Sequence, residues 1–552
     1  MADSTSHSLA AGPRRGATRS VVWAPHGMVA AAQPLAAQAG LDLLKKGGSA
    51  VDAAIAVNAC LGLMEPTACG LGGDLFALVW DPASRRLHGL NASGRAPFSL
   101  TADDVPPQGD GTIPPFSPYS WTVPGCTDGW FELHRKFGRR PMEDVLEAAV
   151  QYASSGFPLS PVIAGEWERY AGAFAGMPGF DEVYLPRGRP PRVGELFRNP
   201  ALARTLQALG RDGRDAFYRG PIGDAIVRFS RGHGGFLARE DLARHSSTWD
   251  EPISTTYRGH EVWELPPSGQ GLAALQMLNL IEAFDLAGLG RASPDFWHVL
   301  VEAKKLAFAD RARFYADPAF ADVPVSGLLS KEYARRRAAL VAMDRAMLVD
   351  EPGDPRLSVA ETTYLATADE SGMMVSLIQS NYTGFGSGYA VPELGFGLQD
   401  RGAQFSLSRG HPNRLEPGKR PFHTIVPAFV TVRGEPLLAF GVMGADMQPQ
   451  GQVQILVNLL DLGLDLQEAG DAPRFHHTGS SEPTGTVMRD GGVLQLEPGV
   501  PLPVIAELAR RGHRVEADAG VFGGYQAISR DPESGVYAGA SESRKDGCAL
   551  GY

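Results

Sequence analysis

An α/β fold with helices layered on sheet is the architecture the sequence predicts, and three observations carry it. Glycine and proline are frequent, 66 and 42 of 552 residues, a turn density that suits a strand-rich chain and not a helical bundle. The hydrophobic period is helical through the middle of the chain and changes to alternation from Thr362 onward. That last segment holds two hairpin patterns and a helix pattern together, and such elements bury their apolar faces by stacking in layers. With 43% hydrophobic and 20% charged residues, the composition is that of a folded chain able to bury a large core.

The first twenty residues are small and polar, without the apolar stretch of a secretion signal, and residues 1–26 read as a disordered leader. A helix is expected from Pro34 to Lys46, where Leu35, Ala36, Ala39 and Leu43 recur at helical spacing before the Gly47-Gly48 stop. A second is expected from Ala50 to Met64. Asn58 and Asp52 make this longest apolar run too short and too polar to span a bilayer, so a soluble, cytoplasmic protein is expected. Gly70, Gly72 and Gly73 then lead into a strand from Leu75 to Trp80. Helix, glycines, strand is the wrong order for a dinucleotide-binding loop.

The middle third reads as mostly helical, ending in an amphipathic pattern over Pro294–Asp317 with Phe296, Leu300, Ala303, Leu306 and Phe314 on one stripe. His298 within it has no partner at i+4 and reads as a surface or satisfied core histidine, not a metal ligand. Past Thr362, the runs Thr363–Ala368 and Met373–Gln379 flank the turn Asp369–Gly372 as one hairpin. His423–Val432 and Pro436–Val442 form a second, and Gly444-Ala445 leads into a helix from Gly451 to Leu462.

Charge and motifs remove whole function classes. The net charge is −11 and neither the first 361 residues nor the rest is basic, which excludes an electrostatic nucleic-acid binder. The four cysteines, Cys60, Cys69, Cys126 and Cys548, form no CxxC and support neither a zinc site nor a disulfide framework. No GxSxG, HExxH, GxxxxGK[ST] or EF-hand loop is present, so serine-elbow, metalloprotease, P-loop and calcium readings lack their groups. What remains is Thr362 at the start of a strand, which β-propensity alone would explain.

Blocks along the chain give that threonine another meaning. Ala360-Glu-Thr-Thr-Tyr364 and Ser376-Leu-Ile-Gln-Ser-Asn-Tyr-Thr-Gly-Phe-Gly-Ser-Gly388 resemble the γ-glutamyltransferase family of N-terminal-nucleophile hydrolases. Gly47–Ala54, Glu65-Pro66 through Gly73, Pro266–Gly269, Gly418–Pro421, Pro473–His477 and Gly551-Tyr552 match in family order. The resemblance implies a four-layer αββα sandwich and a proenzyme that cuts itself between Glu361 and Thr362. Its large fragment would be 27–361 behind the leader and its small fragment 362–552, the two forming one folded unit.

Thr362 would then supply both the attacking hydroxyl and, as a free α-amine, the general base. An α-amine has an ordinary pKa of about 7.7–8.0, so near neutral pH a useful fraction is unprotonated without any histidine. The family's oxyanion-binding N–H pair falls on Gly444 and Ala445, and Thr363 and Ser380 take supporting places. No metal or cofactor is implied. The implied substrate is a γ-glutamyl or related dicarboxylic monoamide, with water or an amine as acceptor. A membrane or nucleic-acid partner is not expected, and a homo-oligomer is left open.

Recognition residues depart from the family pattern. Where relatives hold the γ-glutamyl head by arginine, a serine pair, aspartate, asparagine and glutamine, this chain has Ser93 with Arg95 nearby, His423-Thr424, Gln404, Tyr382 and Arg401. Arg95 and Arg401 suit a carboxylate, since a guanidinium binds one through two N–H groups. These departures resemble a branch that includes glutaryl-type cephalosporin acylases, which stands as one alternative. An unprocessed, non-catalytic binding protein is the other.

Overall fold

The computed structural model describes residues 17–106, 111–348 and 360–552. Its centre is a pair of seven-stranded sheets, antiparallel throughout and packed face to face. One sheet runs in the spatial order Cys548–Gly551, Met28–Ala31, Ala360–Ala368, Met374–Thr383, Asp74–Asp81, Arg86–Ala92 and Thr248–Asp250. The other runs Val22–Ala24, Tyr537–Ser541, Tyr525–Arg530, Glu435–Val442, Ala428–Val432, His260–Glu264 and Ile253–Tyr257. Strands from before and after the Glu361–Thr362 bond contribute to both, so neither part of the chain owns a sheet.

Helices cover each outer face. Pro34–Lys45, Ala50–Met64 and Cys126–Phe137 pack on the first sheet, and Gly271–Ile281, Met447–Leu460 and Leu466–Asp471 on the second. The result is the four-layer αββα sandwich. Ala50–Met64 starts where it does because Ser49 Oγ accepts from the Asp52 N–H and Asp52 Oδ2 accepts from the Ser49 N–H, a reciprocal cap. Pro294–Phe314 is a helix, and His298 is a buried core histidine: its Nδ1 lies 2.8 Å from His513 Nε2 and its Nε2 3.0 Å from the Ala342 carbonyl.

Three expectations shift. Val22–Ala24 pairs with Tyr537–Ser541, so the disordered leader expected over 1–26 is too long, and its residues 1–16 lie outside the described residues. The second hairpin begins at Ala428 and not His423, because Pro427 cannot donate to a ladder. The helix after Gly444-Ala445 begins at Met447 and not Gly451, since Pro449 falls in its first turn, where an N–H would have no intrahelical acceptor.

Candidate active site

The Ala360–Ala368 strand lies next to Met374–Thr383, and the register slips at Thr362: Glu361 faces Tyr382, but Thr363 faces Gln379. Ser380 and Asn381 together therefore oppose Thr362, a bulge in the Met374–Thr383 strand that interrupts the regular ladder at the threonine. The glycines before Asp74 fit beneath it. A Cβ on Gly73 would sit 2.4 Å from the Ser380 carbonyl oxygen and one on Gly72 1.9 Å from that of Gly397, so Gly73 allows close packing against the threonine's neighbour strand and Gly72 against the short strand Phe396–Gly397.

Thr362 is fully buried. Its Oγ1 accepts from Gln448 Nε2 at 3.3 Å and lies 3.5 Å from Ser380 Oγ, which in turn accepts from the Tyr382 N–H at 2.8 Å. Thr363 points to the opposite face, as alternation requires, and donates to Glu65 Oε2 at 2.6 Å at the end of the Ala50–Met64 helix. It anchors the strand from behind and does not meet the Thr362 hydroxyl.

Gly444 and Ala445 form the turn between the Glu435–Val442 strand and the Met447–Leu460 helix. Both have positive φ, 101° and 46°, a conformation that is unusual for alanine. Their carbonyls accept from the Met447 and Gln448 N–H groups at 2.8 and 3.1 Å. Among the described residues, no protein group accepts from the Gly444 or Ala445 N–H. Both residues line a cavity of about 430 Å³, together with Tyr382, Gln404, Thr424 and Asp446. Gln448 thus joins the two parts, its backbone to the turn and its side chain to the threonine.

The recognition residues divide. Arg401 is fully buried, lies over the Tyr382 ring at 4.5 Å and donates from Nη1 to Thr424 Oγ1 at 2.7 Å. Its Nε and Nη2 have no partner among the described residues, and burial pushes its pKa down. Gln404 Nε2 donates to the Tyr382 hydroxyl, so amide and phenol present one polar edge to the cavity.

Two of the expected recognition residues are placed elsewhere. Arg95 contacts Asp317 at 3.5 Å and the Gly418 carbonyl at 3.3 Å; neither it nor Arg401 is among the residues lining the cavity, but Arg401 touches two that are, Tyr382 and Thr424. His423 is wholly buried behind the wall, donating from Nε2 to Asp74 Oδ2 at 2.8 Å. Burial, then the charge of Arg401, pushes the imidazole down to about 4. Asp74 goes the other way: burial alone would raise it, but the His423 hydrogen bond and the Arg401 charge hold it below the ordinary range.

Sequence reasoning did not find Gln448, Asp446 or Gln270. Gln448 and Asp446 sit within four residues of the Gly444-Ala445 turn at a helix start, which is the signal that was available.

A threonine facing a bulge near the start of a central strand, within two packed sheets covered by two helix layers, fits an N-terminal-nucleophile hydrolase fold. The chain belongs to the gamma-glutamyltranspeptidase family, whose model matches residues 36–552, and it is an amidohydrolase of that type. It is 37% identical over 539 residues to the glutathione hydrolase-like YwrD proenzyme of Bacillus subtilis (strain 168), covering 97% of this chain and 98% of that one. It is 35% identical over 530 residues to the acylase ACY 1 proenzyme of Pseudomonas sp. (strain SE83), covering 94% and 92%. The crystal structure of cephalosporin acylase from Bacillus halodurans superposes with a TM-score of 0.89 at 44% identity, covering 100% of this chain and 99% of that one.

Proposed function

We propose that the chain cleaves itself between Glu361 and Thr362 and then hydrolyses monoamides of a dicarboxylic acid, γ-glutamyl or glutaryl, through an ester on Thr362. The observation that carries this reading is the pair of unclaimed N–H groups on Gly444 and Ala445, facing a cavity and tied through Gln448 to the Thr362 hydroxyl. After self-cleavage the Thr362 amine takes the proton of its own hydroxyl, and Oγ1 attacks the amide carbon. The Gly444 and Ala445 N–H groups hold the oxyanion, each such donor contributing about 2.7–4 kcal/mol in other acyl-transfer enzymes. Collapse expels the amine, which leaves with the proton from the Thr362 ammonium; water or a second amine then repeats the sequence and frees the threonine.

Arg401, with Thr424, is proposed to hold the distal carboxylate, because two of its N–H groups are unclaimed and a guanidinium matches a carboxylate's shape. The glutaryl reading is favoured over the γ-glutamyl one by Gln404: a neutral amide occupied by the Tyr382 hydroxyl is a weak partner for an ammonium. The test is kcat/KM for γ-glutamyl-anilide beside glutaryl-anilide, which differ only by the amino group. The reading expects a ratio within about tenfold of unity; a preference of about a thousandfold for the γ-glutamyl compound, about 4 kcal/mol, defeats the acylase alternative. A chain that stays uncut and turns over neither compound is the non-catalytic binder.

A further inference from the structure

The oxyanion turn is held from the other side of the cleavage site. Gln270, fully buried just after Pro266-Pro-Ser-Gly269, donates from Nε2 to the Ala445 carbonyl at 2.9 Å and to the Thr424 carbonyl at 2.7 Å. Its Oε1 accepts from Arg311 Nη1 at 2.5 Å. The same guanidinium reaches Asp446 Oδ1 at 2.7 Å and Glu482 Oε2 at 2.5 Å, and it is stacked on Phe308 at 3.7 Å and near Phe422 at 5.3 Å. Arg311 is fully buried and sits within the helix Pro294–Phe314. Gln270 and Arg311 are not among the residues lining the cavity; they grip the backbone and the acidic side chains that border it.

We propose that Gln270 and Arg311 are positioning residues that fix the Gly444–Ala445 turn for oxyanion binding. This rests on the reading that those two N–H groups are the oxyanion donors. The Gly444 carbonyl, which shares a peptide plane with the Ala445 N–H, is drawn to Met447, so that N–H is turned away from the helix; the Ala445 carbonyl, one peptide further on, is held by Gln448 and Gln270, which pins the turn at its exit. Ala445 needs that grip, since its φ of 46° is one an alanine leaves readily. Arg311 has a second task. Asp446 follows the turn directly and lines the cavity, and an unopposed carboxylate there would repel an oxyanion; the Arg311 charge at 2.7 Å offsets it, while burial raises the Glu482 carboxyl on the same guanidinium well above its ordinary range and so favours its neutral form. Both residues precede Glu361, so the turn of one fragment would be held by the other.

A transition-state grip lowers kcat and leaves KM nearly unchanged. The experiment uses processed enzyme carrying Gln270→Glu, which keeps shape and the Arg311 contact but loses the donor, Gln270→Leu, and Arg311→Lys. Both Gln270 variants are expected to lose about 100-fold in kcat and Arg311→Lys about tenfold, with KM within about threefold of wild type. Affinity for 4-boronobutanoate, whose boronate mimics the tetrahedral state, should fall in parallel, while glutarate affinity holds. A Gln270→Glu enzyme with wild-type kcat and boronate affinity overturns the proposal, as does a raised KM with unchanged kcat. If a variant folds but stays uncut, its self-cleavage rate on a gel stands in for kcat; if neither Gln270 variant folds, Arg311→Lys decides. A crystal structure of the wild-type boronate adduct separates the two levels. A boronate oxygen away from Gly444 and Ala445 refutes the oxyanion assignment itself, whereas an oxygen on those N–H groups with unaffected variants refutes only the grip.

Discussion

The two ends of the candidate site are built differently. At the nucleophile end the groups proposed to react are neutral, namely the Thr362 hydroxyl, the Gln448 amide, the Ser380 hydroxyl and two backbone N–H groups, with the Arg311–Asp446 ion pair behind them. The recognition end is polar and charged, with Arg401 stacked on Tyr382 and two of its N–H groups unclaimed. A backbone donor survives replacement of its own side chain, whereas the groups proposed for recognition on Arg401, Gln404 and Tyr382 are lost with one substitution each. On the proposed reading the fold carries the chemistry and replaceable side chains choose the substrate, and relatives named as a glutathione hydrolase-like proenzyme and as an acylase proenzyme both match this chain over nearly its whole length.

That contrast can be broken first at the nucleophile. Thr362→Ala should remain a single chain without amidase activity, read by denaturing gel and anilide release, while Thr362→Ser keeps a hydroxyl and should process and turn over. At the recognition end, Arg401→Met should lower kcat/KM for glutaryl-anilide about 100-fold, through loss of a charged hydrogen bond of about 1.5–3 kcal/mol, and leave butyryl-anilide within about threefold. Gln404→Asp should move the γ-glutamyl to glutaryl ratio about tenfold toward γ-glutamyl, about 1.4 kcal/mol.

Two smaller effects concern the frame. His423 is held neutral with a folded pKa of about 4 against an ordinary 6.5, so on acidification the unfolded chain takes up a proton that the folded one refuses. Its contribution to stability is present above pH 6.5 and is lost as pH falls toward 4. His423→Gln should flatten urea-derived stability in that window by up to about 1.4 kcal/mol per pH unit. Ala445→Gly relieves a positive φ that disfavours alanine by about 1–2 kcal/mol but adds glycine's backbone entropy of about 0.5–1, so thermal unfolding should show a gain of about 0.5 kcal/mol.

Much of the frame was legible in the sequence because local signals agreed with the final packing. Ala50–Met64 carries its own cap in Ser49 and Asp52, and the first hairpin carries its turn at Asp369–Gly372. Long-range contacts left weaker marks. Nothing near Gln270 in sequence tells that its amide meets Ala445, 175 residues away. His423 was expected among the recognition residues because it falls, with Thr424, where the family has a serine pair; only the fold tells that its ring turns inward to Asp74, 349 residues away. Arg95 likewise has the right chemistry and a different partner, Asp317. Residue type reveals what a side chain can do, and packing decides which neighbour it does it to.

The central claim is that Thr362 becomes an N-terminal nucleophile, and intact mass spectrometry of incubated protein tests it most directly. The account predicts that the 58.9 kDa chain gives way to pieces of about 39 and 20 kDa, the smaller beginning at Thr362. It also predicts that acid-quenching the cut protein with glutaryl-anilide adds one glutaryl group to the peptide that starts with Thr362. A chain that keeps its full mass after prolonged incubation, or a new N-terminus or acyl group at another residue, would contradict it.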